Sequence, residues 1–167
     1  MKKIFKWLGI LLAAGLVAIQ FMRPPRNTAP ENPATDFIEQ YHPPADVEGV
    51  LRVACYDCHS SNTRYPWYAE VQPVGWWING HIEVAKKEVN FSDFGSYRVR
   101  RKYRKLEEMM KQVDTGEMPL PSYQIIHTDA KLTAAQREAF VDWVGSIRDA
   151  LKAVTPADSL EPPKRQP

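Results

Sequence analysis

Residues 55–59 read Cys55-Tyr56-Asp57-Cys58-His59 and hold both cysteines of the 167-residue chain. On one helical turn, two thiols at this spacing reach the two vinyl groups of a porphyrin and form thioethers. The histidine that follows then lies under the iron as its proximal ligand. The motif predicts one covalent c-type haem per chain, with Cys55 and Cys58 as attachment points and His59 on the iron. Three other readings of the cysteines were weighed. A thioredoxin-like redox pair sits at a strand-to-helix junction, and no strand pattern precedes Cys55. A structural zinc site wants a further ligand pair, and the sequence has no second CxxC and no HxxxH. A local disulfide suits an exported protein but leaves His59 without a role.

Helical periodicity extends outward from the motif on both sides. Before it, Val47, Val50, Leu51 and Ala54 recur at helical spacing after Asp46, a predicted N-cap, so the motif ends a short amphipathic helix. After it, Ser60–Pro66 is rich in turn formers. A second helix is predicted over Val74–Val89, with Val74, Ile78, His81, Ile82, Ala85 and Val89 on one face. Trp76 and Trp77 on this helix bring large surfaces suited to covering a porphyrin. The break at Asn90–Gly95 ends it. A third helix is predicted from about Tyr97 to Val113, with Val99, Tyr103, Leu106, Met110 and Val113 as its stripe. Its other face carries Arg98, Arg100, Arg101, Lys102, Arg104 and Lys105: a solvated face, a dock for an acidic redox partner, or a neutraliser of haem propionates. A last helix opens on the capping box Thr133-x-x-Gln136 and buries Phe140, Trp143, Val144, Ile147 and Leu151. The predicted fold is all-α: about four helices around one haem.

Composition agrees with one small domain: 44% apolar, 25% charged and 11% aromatic residues, with fourteen prolines and eight glycines. Net charge is +2. Lys2, Lys3, Lys6, Arg23 and Arg26 account for that excess, so the remainder is mildly acidic and nucleic-acid binding is not expected. The lysines precede an apolar run up to Met22, the pattern of an export signal. Ile4–Met22 is close to the ~20 apolar residues that span a bilayer as a helix. Val17–Met22 offers no small pair for cleavage. Residues 1–22 are therefore predicted as a signal anchor that crosses the cell membrane once and leaves the domain in the periplasm. The alternative is a soluble periplasmic domain after cleavage. Residues 23–44, with six prolines, read as a tether; 45–153 as the haem-binding domain; and 154–167 as a disordered tail.

For the sixth iron ligand, Met118 in the loop Thr115-Gly-Glu-Met118-Pro119 is favoured, because a thioether there stabilises ferrous iron and raises the potential. His81, on the apolar face of its helix, is the alternative and would lower the potential. His127 is expected to bond locally or to a propionate, and His42 lies among prolines.

The sequence resembles the bacterial haem-binding domain family built around CxxCH, a relative of monohaem cytochromes c. The resemblance rests on Cys55–His59, Tyr65-Pro66-Trp67, Trp76–His81, Asn90-Phe-Ser92, Gly116–Leu120, Tyr123 with His127, and Leu132 to Trp143, and covers roughly residues 36–153. It implies a cytochrome c-like helical domain, covalent haem on Cys55 and Cys58, and His59 as proximal ligand. It leaves Met118 and His81 both open. Electron transfer between redox partner proteins is the leading expectation. The alternatives are a haem enzyme of peroxidase type, with His81 or His127 beside Arg98 or Arg100 as its acid–base pair, and a haem-based redox or ligand sensor.

Overall fold

The structure, a computed structural model, describes residues 1–160. Its helices are α1 (Lys2–Ile19), α2 (Phe37–Tyr41), α3 (Ala45–Ala54), α4 (Tyr56–His59), α5 (Val74–Glu88), α6 (Val99–Asp114), α7 (Pro121–Gln124), α8 (Ala134–Val154) and α9 (Ala157–Leu160). Tight 3-10 turns occupy Trp67–Glu70, Phe91–Ser96 and Thr128–Ala130. Among the described residues there is no strand, only an isolated bridge between Thr28 and Asn62.

Two long helices carry the core. Leu106, Met109 and Val113 of α6 face Phe140, Val144 and Ile147 of α8 at helical spacing, and the pair packs extensively. Met109, rather than Met110, is the more buried methionine of α6. The α8 start is fixed as expected: Thr133 accepts from the Gln136 N–H, and the Gln136 side chain accepts from the Thr133 N–H. Against these helices α3 lays Val47, Val50 and Leu51. Its cap is Pro44 rather than Asp46, which lies in the first turn where a carboxylate favours the helix dipole. The haem motif does not continue α3. Cys55 breaks away at φ −126°, and α4 is a separate single turn.

Three sequence expectations are corrected. First, no helix among the described residues is long and apolar enough to cross a membrane. Helix α1 stops at Ile19, and Lys2, Lys3 and Lys6 occupy its first turns. Its uncharged part, Trp7–Ile19, spans roughly 20 Å at ~1.5 Å per residue, against a hydrocarbon core of about 30 Å. No residue of α1 is buried.

Second, residues 23–44 are not a free tether. The Gln20 side chain donates to the Gln72 carbonyl at 3.0 Å and accepts from the Gln72 N–H at 2.9 Å, and the Trp76 indole donates to the Met22 carbonyl at 2.6 Å. Arg23 and Arg26 both pair with Glu70. Asn27 donates to Ser60 O and Thr63 Oγ1, each at 2.8 Å. Downstream, Asp36 caps α2, whose Phe37 is fully buried at the centre of the core. Proline content describes the backbone of this stretch; single polar side chains decide that it lies on the domain.

Third, the tail is structured as far as Leu160, which is buried, and Arg100 donates to the carbonyls of Asp158 (3.0 Å) and Ser159 (3.3 Å). Residues 161–167 of the predicted tail lie outside the described residues.

Candidate functional site

The single turn α4 brings Cys55, Cys58 and His59 together. Both cysteines are free, part-buried thiols, and Cys55 packs against the apolar core. Burial pushes the Cys55 thiol up to about 12, with the Cys58 sulfur adding to it, and burial pushes the Cys58 thiol up to about 11, with Asp57 adding to it. They are protonated thiols, not the low-pKa nucleophile of a redox CxxC.

His59 is oriented by the end of α5. Its Nδ1 lies 3.1 Å from the Val89 carbonyl, a contact in which the ring donates, so Nε2 carries the lone pair and faces away. Burial holds the imidazole below its ordinary value, against the opposing carbonyls of Val89 and Ala85. A neutral imidazole with one nitrogen tied to a carbonyl and the other free is the arrangement of a metal-bound histidine, in which the outer hydrogen bond fixes the tautomer and raises ligand basicity. Phe91 packs beside the ring, with centroids 5.9 Å apart.

A residue inside the motif, unmarked by the sequence reading, ties the turn to the rest of the domain. The buried Asp57 carboxylate accepts from Arg64 Nε at 3.0 Å and from the Tyr123 hydroxyl at 3.0 Å. Thr63 Oγ1 donates to the Asp57 carbonyl at 2.7 Å. Tyr123 in turn stacks on His127 (centroids 4.0 Å, interplanar angle 7°), and His127 Nε2 lies 2.6 Å from the Tyr68 hydroxyl. The Tyr123 bond to Asp57 joins this cluster to the turn. The His127 ring is thus held by Tyr68, 59 residues away in sequence. Behind the turn opens a cleft of about 270 Å³ lined by Asp36, Glu39, Arg52, Tyr56, Asp57 and Arg64 among others. It is polar and neither cysteine lines it, so it is not the face that would hold a porphyrin.

The other predicted site residues are dispersed around this centre. Trp76 is committed to the Met22 carbonyl. Trp77 is 52% exposed and lies on His81, centroids 4.3 Å apart. His81 Nδ1 contacts the Trp77 carbonyl at 2.9 Å, on the same helix. Met118 is half-buried against the core, in a loop that turns at Gly116 (φ 73°) and is pinned by the Met118 N–H to the Gln112 carbonyl at 3.0 Å. A left-handed residue there favours glycine. His42 is exposed at the end of α2. Arg100 is spent on α9 and Arg101 on the Tyr97 ring (4.0 Å) and the Lys87 carbonyl (3.2 Å). Arg104 pairs with Glu108, and Lys105 is buried. Most of the basic face of α6 is therefore answered from within the domain.

The donor set suits a haem: two free thiols, one turn apart, beside an imidazole whose free nitrogen is fixed in direction. No curated protein and no solved structure matches the chain. A family model described as a haem-binding domain matches residues 14–146, which contain the whole site and most of the chain. The chain belongs to this haem-binding domain family.

Proposed function

We propose that the chain holds one c-type haem through thioethers to Cys55 and Cys58, with His59 and Met118 on the iron, and that it carries electrons between redox partner proteins in the periplasm. The observation that carries this reading is the α4 turn: both thiols are unpaired, and the hydrogen bond from His59 to Val89 leaves Nε2 as the only free nitrogen of the ring. When bound, haem supplies a one-electron couple whose potential the axial ligands set. The protein's own part is to hold His59 in one tautomer, to keep the thiols one turn apart, and to bury the group's edges.

The distal position falls to Met118. The Val89 carbonyl, just past α5, lies on the Nδ1 side of His59, away from the iron-facing nitrogen. His81 sits one turn before Ala85 on that helix, against the exposed Trp77 ring. Met118 comes from a separate loop after α6 and packs half-buried against the core beside which Cys55 also lies. Export is supported by Lys2, Lys3 and Lys6 ahead of an apolar helix with no buried residue.

The test is the visible spectrum of the purified protein, ferric and then reduced, with and without carbon monoxide. A low-spin c-type spectrum with the long-wavelength methionine-to-iron band, unmoved by carbon monoxide, is expected. Met118→Ala should abolish that band and lower the midpoint potential. Immediate carbon monoxide binding by the native protein would overturn the electron-carrier reading, and loss of low-spin character in His81→Ala would move the ligand assignment to His81.

A further inference from the structure

Lys105 is a buried cation. Its side chain is 7% exposed, and Nζ donates to Glu108 Oε2 at 2.6 Å and Glu88 Oε2 at 2.8 Å. Its partners reach water, Glu88 being 69% and Glu108 43% exposed, so the buried member of the cluster is the cation alone. Burial alone would draw the ammonium down, yet the two carboxylates outweigh it and hold it above its ordinary value, so Lys105 stays charged.

Its place in the fold suggests a role. Glu88 is the last residue of α5, and Val89, the next residue, accepts the His59 Nδ1–H. A continuous path therefore runs from Lys105 through Glu88 and Val89 to the back of His59. The two charges differ in exposure: Lys105 is 7% exposed, whereas Glu88 is 69% exposed and its charge is screened by water.

Resting on the reading of His59 as proximal ligand, we propose that Lys105 is an electrostatic tuning residue, a fixed positive charge behind His59 that raises the reduction potential of the iron, with Glu88 opposing it. Reduction adds one electron and lowers the positive charge at the metal. A nearby cation therefore favours the reduced state and a nearby anion disfavours it.

The experiment measures the midpoint potential of the full-length holoprotein and of two variants by spectroelectrochemistry. Lys105→Met keeps the length of the stem and removes the charge; Glu88→Gln removes the opposing charge from an exposed site that tolerates it. The potential should fall in Lys105→Met and rise by a smaller amount in Glu88→Gln, with covalent haem and the low-spin spectrum unchanged in both. Both variants break the same ion pair, so a purely structural contact would shift them in the same direction or not at all. Either of those results overturns the proposal. If Lys105→Met does not fold, a rise in Glu88→Gln supports the proposal and an unmoved or lowered potential overturns it. Haem content and spectrum are recorded on every sample. A wild type without haem on His59 defeats the reading of the site itself, whereas intact haem with unmoved potentials defeats the tuning role alone.

Discussion

The two sides of the haem-attachment turn treat apolar surface in opposite ways. On the side of α2, α3, α6 and α8, aromatic residues are enclosed: Phe37, Phe94 and Phe140 are fully buried, and Phe37 touches Phe91, Phe94 and Trp143 at 5.3, 4.7 and 5.4 Å between centroids. On the side of the Trp67–Glu70 turn, α5 and α7, comparable side chains face solvent: Trp67 is 80% exposed, Ile125 75% and Ile126 62%. The motif lies on the seam, with Cys55 and Tyr56 packed on the closed side and Asp57 bonded to Tyr123 of the open one. The closed side holds itself together. The open side presents large apolar surface with no protein cover, and contiguous surface of that kind marks a binding region.

The most severe way to break this comparison is at the seam. Cys55→Ala combined with Cys58→Ala should abolish all haem that survives denaturation, seen as loss of the haem-stained band on a denaturing gel, while the closed side keeps its helical circular dichroism. Retention of a stained band would show that haem is attached elsewhere. Next in size is a pair that tests the two sides against each other. Phe94→Ala should cost ~3–5 kcal/mol in denaturant unfolding with or without haem, because it opens a cavity among packed rings. Trp77→Ala should cost no more than about 0.5 kcal/mol in the haem-free protein. In the haem-bound protein its cost should grow. Equal losses in both forms would show that the open side is an ordinary part of the core.

The closed side was largely legible in the sequence, and the reason is periodicity. Val47, Val50 and Leu51, then Leu106 and Val113, then Phe140, Val144 and Ile147 recur with the helical period, and a capping box marks its start without any tertiary contact. The motif was legible because its chemistry needs neighbours within five residues. What escaped depends on partners far along the chain. Phe37 sits in a proline-rich stretch with no periodic neighbours, so only the fold shows that it fills the centre of the core. Gln20 meets Gln72, and Asp57 meets Tyr123, through hydrogen bonds that leave no local trace. The six cations at positions 98–105 look alike in sequence, yet Arg100 caps α9 while Lys105 is buried between two glutamates. At the N-terminus the apolar run extends to Met22, but the helix ends at Ile19.

Asp57 offers a sharper and smaller test of the seam. Asp57→Asn keeps the shape but places an amide donor among the donors of Arg64 and Tyr123, leaving at least one buried polar group unpaired, which costs roughly 1–3 kcal/mol. Tyr123→Phe removes one of those donors, so in the double variant the two losses should be less than additive. Strict additivity would show that the carboxylate and the hydroxyl are not coupled, and that the 119–127 segment is held to the motif by packing alone.

The smallest effect belongs to the closed side and calibrates the rest. Thr133 and Gln136 satisfy each other's backbone N–H groups at the start of α8, far in sequence from the motif. Thr133→Ala removes the cap and should cost about 1 kcal/mol by denaturant unfolding. Haem content and midpoint potential should not move, because the affected turn is the outer end of a helix whose packing is carried by Phe140, Val144 and Ile147 further along. A change in potential from so remote a site would mean that the closed side is not a rigid support. The contrast between the two sides would then be one of exposure and not of mechanical role.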